Sequence, residues 1–526
     1  MASFEELPVE IKESIVLETT FHDLISLSKT CKSIRAVALP AMFRNIDFTW
    51  DANSKDGPPI TALLRSIYNN IHFQRSIQTL TLKAINYRGY QEPGFEGDVL
   101  LPCHTHRIPT EDWEIFEKAL QVCPCEGKFE CDDPTTREGN LNAAIAVLIR
   151  HCTRIRSLHV DVHFFMHTYR LSSMFRSTIS RVVGPWGKQA WFSNLNHVTV
   201  SHTPNYYHTR LPPVNERYAV DLPVQPNTFL KMFYLPAVKT LDLVFFPNIN
   251  NIEDSQDVTL KHTVWPFPQV PVASTLTKLQ LRRSPALPET LDLLLSTTPN
   301  LQSLDYDLFI PANQAPLSLD TLRKALDHIR TTIKHLSVKW EIFHDPDDYF
   351  GGVNVSPFGI ELTMACIGAL GSLREFPALL TLETSLAVLY GQEQETRETA
   401  LSEILPPNLE RFTLLDDLWE FETFNWSDLE VLQILRKFLT GDKKHKEWFN
   451  EERKKYEVNW TVDSEPGWKS ATPRLSEMIV DFRRRGWSSS EFQYLSCPAQ
   501  RIALQKLCQD QGMKFDFRKK CFPSSV

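Results

Sequence analysis

The chain has 526 residues, room for several ordinary domains or one long repeat array. Its net charge of −8 argues against a dedicated nucleic-acid binder, which carries a basic excess, and its 18 glycines, about half the usual share, argue against Gly-rich phosphate loops. Ten cysteines spread over this length do not make a disulfide framework; they read as reduced thiols of an intracellular protein, cytoplasmic or nuclear.

The first residues, Met1 to Glu6, carry acid where a signal peptide carries base, and no run approaches the ~18 apolar residues of a membrane span. Leu7-Pro8 opens a helix, because the missing proline N–H is unpaired in a first turn anyway. Leu7, Ile11 and Ile15 recur every four residues and predict one apolar face. Thr20 and Asp23 stand three apart, as in a capping box, ahead of Leu24, Leu27, Cys31 and Ile34. Pro40 is expected to end the third helix, and Met42, Phe43 and Ile46 supply a last apolar cluster. About forty residues in short helices cannot bury this much apolar surface among themselves, so part of it meets a partner or the next domain.

The order Leu7-Pro8-x-Glu10-Ile11-x3-Ile15, Asp23-Leu24-x2-Leu27-x3-Cys31-x2-Ile34-Arg35, Leu39-Pro40-x2-Phe43-Arg44-x-Ile46 resembles the F-box motif over residues 5–48. The resemblance implies a three-helix unit that docks on the Skp adaptor and, through it, on a cullin. It implies Leu7, Pro8, Ile11, Ile15, Leu24, Leu27, Cys31 and Ile34 as adaptor-binding positions. Some of these must form the unit's own core, and spacing does not divide the two sets.

Further along, one pattern recurs: an apolar residue, another three later and a third two after that. It stands at Ile77-x2-Leu80-x-Leu82, Ile155-x2-Leu158-x-Val160, Leu195-x2-Val198-x-Val200, Val238-x2-Leu241-x-Leu243 and Leu276-x2-Leu279-x-Leu281. It returns at Leu301-x2-Leu304-x-Tyr306, Ile333-x2-Leu336-x-Val338, Leu409-x2-Phe412-x-Leu414 and, most weakly, Leu475-x2-Met478-x-Val480. The last two apolar positions of each unit share one face of a strand. Helical runs precede several of them, at Leu141–Cys152, Leu291–Leu295 and Leu322–Ile329. Helix, short loop and strand in alternation predict an α/β solenoid with a parallel sheet, and the pattern resembles leucine-rich repeats. The starts at 195, 238, 276, 301 and 333 keep no fixed period, and the position that holds Asn or Cys in the regular repeat is occupied here by residues such as Ile85, His163 and Phe246. No asparagine ladder is expected. Leu373 to Gly391 with Leu405 to Phe412 looks like the later repeats of fungal F-box proteins.

This gives an F-box at 1–48, a connecting helix or linker at 49–76 and an irregular repeat array at 77–520. Long inserted loops are expected at 83–140, 203–235 and 415–470. Pro498 and Gly512 bracket a closing helix, with a strand at Met513–Phe517. Cys103, His104, His106, Cys123, Cys125 and Cys131 cluster in the first loop, as a zinc site or as spare thiols; their spacing is poor for zinc. Basic runs at Lys443–Lys446, Arg453–Lys455, Arg483–Arg485 and Arg518–Lys520, with Trp448, Tyr456, Trp460 and Trp487 near them, make either a ligand face or solvated helix flanks. Asp345, Asp347 and Asp348 lack the full calcium-loop pattern and read as a turn. No nucleophile elbow, Walker loop or zinc-protease histidine pair is present, so no catalytic residue, metal or cofactor is expected. The resemblance implies a non-catalytic substrate receptor of an SCF-type ubiquitin ligase. The alternatives are an F-box scaffold in a non-degradative complex and a leucine-rich binder of a phosphorylated or acidic ligand or of nucleic acid.

Overall fold

The computed structural model describes residues 6–68, 70–87, 102, 141–165, 192–202, 226–249, 265–311, 317–343, 366–392, 399–417, 426, 428–441, 467–482 and 498–519. Those residues fall into two compact units of α/β structure.

The first unit opens with three short helices, α1 (Val9–Leu17), α2 (Phe21–Ser28) and α3 (Lys32–Met42). Helix α3 runs through Pro40, which does not end it as expected. Pro40 lies in the last turn, where its missing N–H forfeits one bond and the helix stops two residues later anyway. The chain then enters a strand at once: β1 (Asn45–Asp51) begins before the boundary placed at 48, so Ile46 belongs to the strand array and not to the helical module. Two helices, α4 (Ile60–Tyr68) and α5 (Ile71–Ser76), occupy most of the stretch expected to be a connecting helix or linker. Strands β2 (Thr79–Ile85), β3 (Ser157–Asp161), β4 (His197–Ser201) and β5 (Thr240–Val244) follow, all parallel, each paired with the one before it. The stretch 203–235, read as loop, ends in a helix at Pro226–Leu230 and a 3₁₀ turn at Lys231–Tyr234. Phe229, Leu230, Met232 and Phe233 are buried there, which the surrounding prolines obscured.

The second unit holds β6 (Lys278–Ser284), β7 (Ser303–Pro311), the two-residue β8 (Leu317–Ser318), β9 (His335–Phe343), the two-residue β10 (Cys366–Ile367), β11 (Thr381–Ser385), β12 (Arg411–Leu415), β13 (Glu477–Phe482) and β14 (Lys514–Lys519). The spatial order is β6-β7-β9-β11-β12-β13-β14, again parallel throughout, while β8 and β10 pair with each other. Helices at Pro288–Leu295, Leu319–Asp327, Leu386–Tyr390 and Leu401–Ile404 connect the strands. The stretch 415–470 is not all loop: it contains helices at Asp428–Thr440 and Gly467–Ala471. A helix at Pro498–Asp510 and β14 close the array, and Gly512 takes φ +76° in the turn between them.

Each recurring apolar pattern lands on a strand, and register aligns the patterns into columns. Leu80, Leu158, Val198 and Leu241 are successive partners in the first unit, as are Leu82, Val160, Val200 and Leu243. All eight are buried, with Ile77, Ile155, Leu195 and Val238 beneath them. In the second unit the column runs Leu279, Leu304, Leu336, Leu382, Phe412, Met478 and Phe515.

The neighbours are joined by a backbone device. The carbonyl just ahead of one strand accepts two N–H groups from the residues that open the next. Arg44 O takes Gln78 N and Thr79 N at 2.9 and 3.0 Å; Gln78 O takes Arg156 N and Ser157 N; Arg156 O takes Asn196 N and His197 N; Asn196 O takes Lys239 N and Thr240 N. The second unit repeats it through Thr277, Gln302, Lys334, Leu380 and Glu410. This ladder runs through the main chain, so any side chain is tolerated at its rungs, and irregular repeats stay in register without the missing asparagines.

Two of the strands without a recognised pattern, β11 and β1, hold a version of it. In β11 the third apolar position is Thr384, fully buried, whose hydroxyl has no hydrogen-bond partner. In β1 the pattern Phe43-x2-Ile46-x-Phe48 is present, but the F-box resemblance had absorbed it.

Two outcomes follow for urea denaturation. Gln302→Ala should leave stability within about 0.5 kcal/mol, whereas Gln302→Pro, which deletes the donor to Thr277 O, should cost about 3 kcal/mol. Thr384→Val, removing a buried unsatisfied hydroxyl at constant shape, should stabilise by about 1 kcal/mol.

Candidate functional site

The helical module has a small core of its own. Val16, Leu24, Ile34 and Ala38 are buried together, and Leu27, Cys31, Val37, Ala41 and Met42 pack against them. The Thr20 hydroxyl caps α2 by accepting from Asp23 N at 3.3 Å, and Cys31 Sγ caps α3 by accepting from Ile34 N at 3.5 Å. Helix α1 turns Val16 and Lys12 inward, and Lys12 Nζ donates to Ser33 Oγ at 2.7 Å. Pro8, Ile11 and Ile15 therefore lie roughly a quarter turn round the helix from its buried line. The every-fourth-residue stripe that predicts the helix is not the face that packs.

This divides the eight positions implied by the F-box resemblance. Leu24 and Ile34 belong to the module's core, and Leu27 and Cys31 pack on its edge. Leu7 and Ile15 are half-buried, while Pro8 is exposed and Ile11 is 48% exposed. Val9 at 55%, Leu17 at 54% and Phe21 at 61% join them as exposed apolar side chains. These three fall outside the stripe, so periodicity alone does not find them. The module is tied to the strand array by Phe43 stacked on Phe73, ring centroids 4.4 Å apart, and by Arg44 Nε donating to Gln78 Oε1 at 3.2 Å.

The strand face opposite the apolar columns is polar. In the second unit Lys278, His335, Arg411 and Lys514 stand at the strand starts, with Glu477 held between Arg411 and Lys514. The hydrogen bond from Lys514, with a second from Arg411, holds the Glu477 carboxyl below its ordinary value although some burial opposes this. Further along the same strands come Asp305, Asp307, Glu341 and Glu383. Lys339 bridges Asp305 at 3.2 Å and Glu383 at 3.5 Å, and Ser337 Oγ donates to Glu383 Oε2 at 3.1 Å. Because all strands are parallel, their starts share one edge, and the face is basic on that edge and acidic beyond it. Burial pushes the Asp307 carboxyl up to about 6, and the charge of Glu341 pushes in the same direction against the Arg283 N–H and Lys339.

A buried pair lies at the end of β3. Asp161 Oδ1 accepts from His163 Nδ1 at 2.6 Å and from His163 N at 3.1 Å, and the His163 ring tilts against His202 and Tyr87. Asp161 also caps the 3₁₀ turn Val162–Phe164, so the pair fixes how the chain leaves the strand. No serine or cysteine among the described residues hydrogen-bonds to His163 Nε2.

The cysteine–histidine cluster at 103–131, the aspartates at 345–348, the basic runs at 443–446, 453–455 and 483–485, and Trp448, Tyr456, Trp460 and Trp487 lie outside the described residues. Arg518 and Lys519 are in β14, where Arg518 pairs with Asp516 at 3.1 Å. Among the described residues no group of three or more His, Cys, Asp or Glu is placed to hold a metal ion, and no helix is long and apolar enough to cross a membrane. No protein-family model matches this chain, and no curated protein matches it.

Asp307 gives a pH test with a definite sign. Its native value lies above its unfolded one, so the native state gains stability as pH falls from 6 to 4 and loses it as pH rises through 6. Asp307→Asn should stabilise by about 1–2 kcal/mol at pH 7.5, with the gain largely gone at pH 4, in urea melts at both pH values.

Proposed function

We propose that the protein is a substrate receptor of an SCF-type ubiquitin ligase, its amino-terminal helices an F-box and its strand array an irregular leucine-rich solenoid. The reading rests on one observation: the helical module completes a core without Pro8, Val9, Ile11 and Phe21, which stay exposed beside it. Apolar side chains gathered on so small a module form a handle for another subunit, and a few such anchors supply most of the energy of an interface. In this reading the handle takes the Skp adaptor and the array's charged face takes the target. The chain contributes proximity, holding a target lysine near a ubiquitin-charged partner without chemistry of its own.

The test is co-purification of the full chain with a Skp-type adaptor. Pro8→Ala/Ile11→Ala should keep the unfolding midpoint within a few degrees and weaken adaptor capture at least tenfold. Undiminished capture by that variant, or no capture by the natural chain, would sink the reading. Affinity purification with and without proteasome inhibition then reports whether bound partners are degraded.

A further inference from the structure

The first unit carries a cavity of about 320 Å³ lined by Arg75, Gln78, Arg154, Arg156 and Asn194. Among its described lining side chains three are cationic and none is acidic. They come from three successive connections: Arg75 from the last turn of α5, Gln78 from the rung ahead of β2, Arg154 and Arg156 from either side of buried Ile155 ahead of β3, and Asn194 from the turn ahead of β4. The backbone beneath is fixed. Gln78 O accepts from Arg156 N at 2.7 Å, and Arg156 O accepts from Asn196 N and His197 N at 2.8 and 3.1 Å.

The side chains are poised differently. Arg75, Arg154, Arg156 and Asn194 are exposed, and among the described residues none of the three guanidinium groups has an ion-pair or hydrogen-bond partner. Arginines on the second unit behave otherwise: Arg323 pairs with Asp327 and Glu375, and Arg411 with Glu477. Three like charges gathered around one cavity repel one another, and an anion placed between them relieves that repulsion.

We propose that this cavity binds a phosphoryl group. A guanidinium presents a planar fork of N–H donors that matches two oxygens of an oxyanion, and three forks balance a phosphate dianion better than a singly charged carboxylate. Gln78 and Asn194 add neutral amide donors. A nucleic-acid strand is the poorer fit, because the three arginines gather around one cavity on two successive connections and are not spaced along a track that a polymer backbone would follow. The phosphoryl group belongs either to a free small phosphate or to a phosphorylated side chain of a partner. The proposal does not depend on the ligase reading.

The experiment is calorimetric titration of the full chain with inorganic phosphate, with a phosphoserine tetrapeptide and its unphosphorylated form, and with a single-stranded RNA decamer. One saturable site per chain is expected for phosphate, for the phosphopeptide or for both, and none for the unphosphorylated peptide. Phosphopeptide binding at least tenfold tighter than phosphate assigns the modified partner; equal affinities assign the free small ligand. Arg154→Gln/Arg156→Gln should weaken binding at least tenfold with unchanged thermal unfolding, and Arg75→Gln does the same work if the double variant fails to fold. Phosphopeptide binding should strengthen from pH 5 to pH 7 as its second phosphate proton leaves near 6. Absence of saturable binding, the same affinity in the variants, or arginine-dependent RNA binding a hundredfold tighter than either phosphate probe would each overturn it.

Discussion

In both units a main-chain carbonyl ahead of one strand accepts two N–H groups from the start of the next, at 2.7 to 3.2 Å. Everything else hangs from this repeated bond pair. It sets register before any side chain is consulted, so the apolar columns align whatever the length of chain between strands. A parallel sheet needs a crossover for every strand, and crossovers of unequal length would pull neighbours out of step unless each strand start were pinned. Pinning by backbone leaves the rung residues free to vary, and they do: Arg44, Gln78, Arg156 and Asn196 in one unit, Thr277, Gln302, Lys334, Leu380 and Glu410 in the other.

That freedom is what makes function affordable at the strand starts. A rung residue tied by its own N–H and C=O can carry any side chain without loss of fold. In the first unit Gln78 and Arg156 use it to line a cationic cavity. In the second, residues at and beyond the strand starts build a face on which Glu477 pairs with Arg411 and Lys514, and Lys339 pairs with Asp305 and Glu383. The helical module solves a different problem. Its core closes on Val16, Leu24, Ile34 and Ala38, and part of its apolar surface stays outside.

Much of the strand array was legible in the sequence because burial imposes a local signature. Residues two apart on a strand face the same side, so a buried face writes apolar residues at that spacing, and all nine recognised patterns lie on strands. The signal failed where a residue was buried for its shape and not its polarity: Thr384 fits an apolar column with its methyl group and hides β11. It also failed where elements overlapped, as where Ile46 served both the helical resemblance and β1. In α1 the periodicity marks the helix and its apolar stripe but does not tell which face packs, because Lys12 turns inward and reaches Ser33. The cavity of Arg75, Arg154 and Arg156 had only a faint local trace, a polar residue after the first apolar position of each pattern, for its parts are about eighty residues apart in the chain.

From sequence alone come the elements: parallel strands with helical crossovers, a capped helical module ahead of them and a closing helix with its strand. These are local consequences of side-chain spacing, caps and turn residues, and they need no knowledge of neighbours. Tertiary structure decided which apolar residues of the module are core and which stay exposed, which rung residues meet around one cavity and which charges neutralise one another. Those outcomes depend on distances between residues far apart in the chain, and such distances exist only after the backbone ladder has brought successive strand starts side by side.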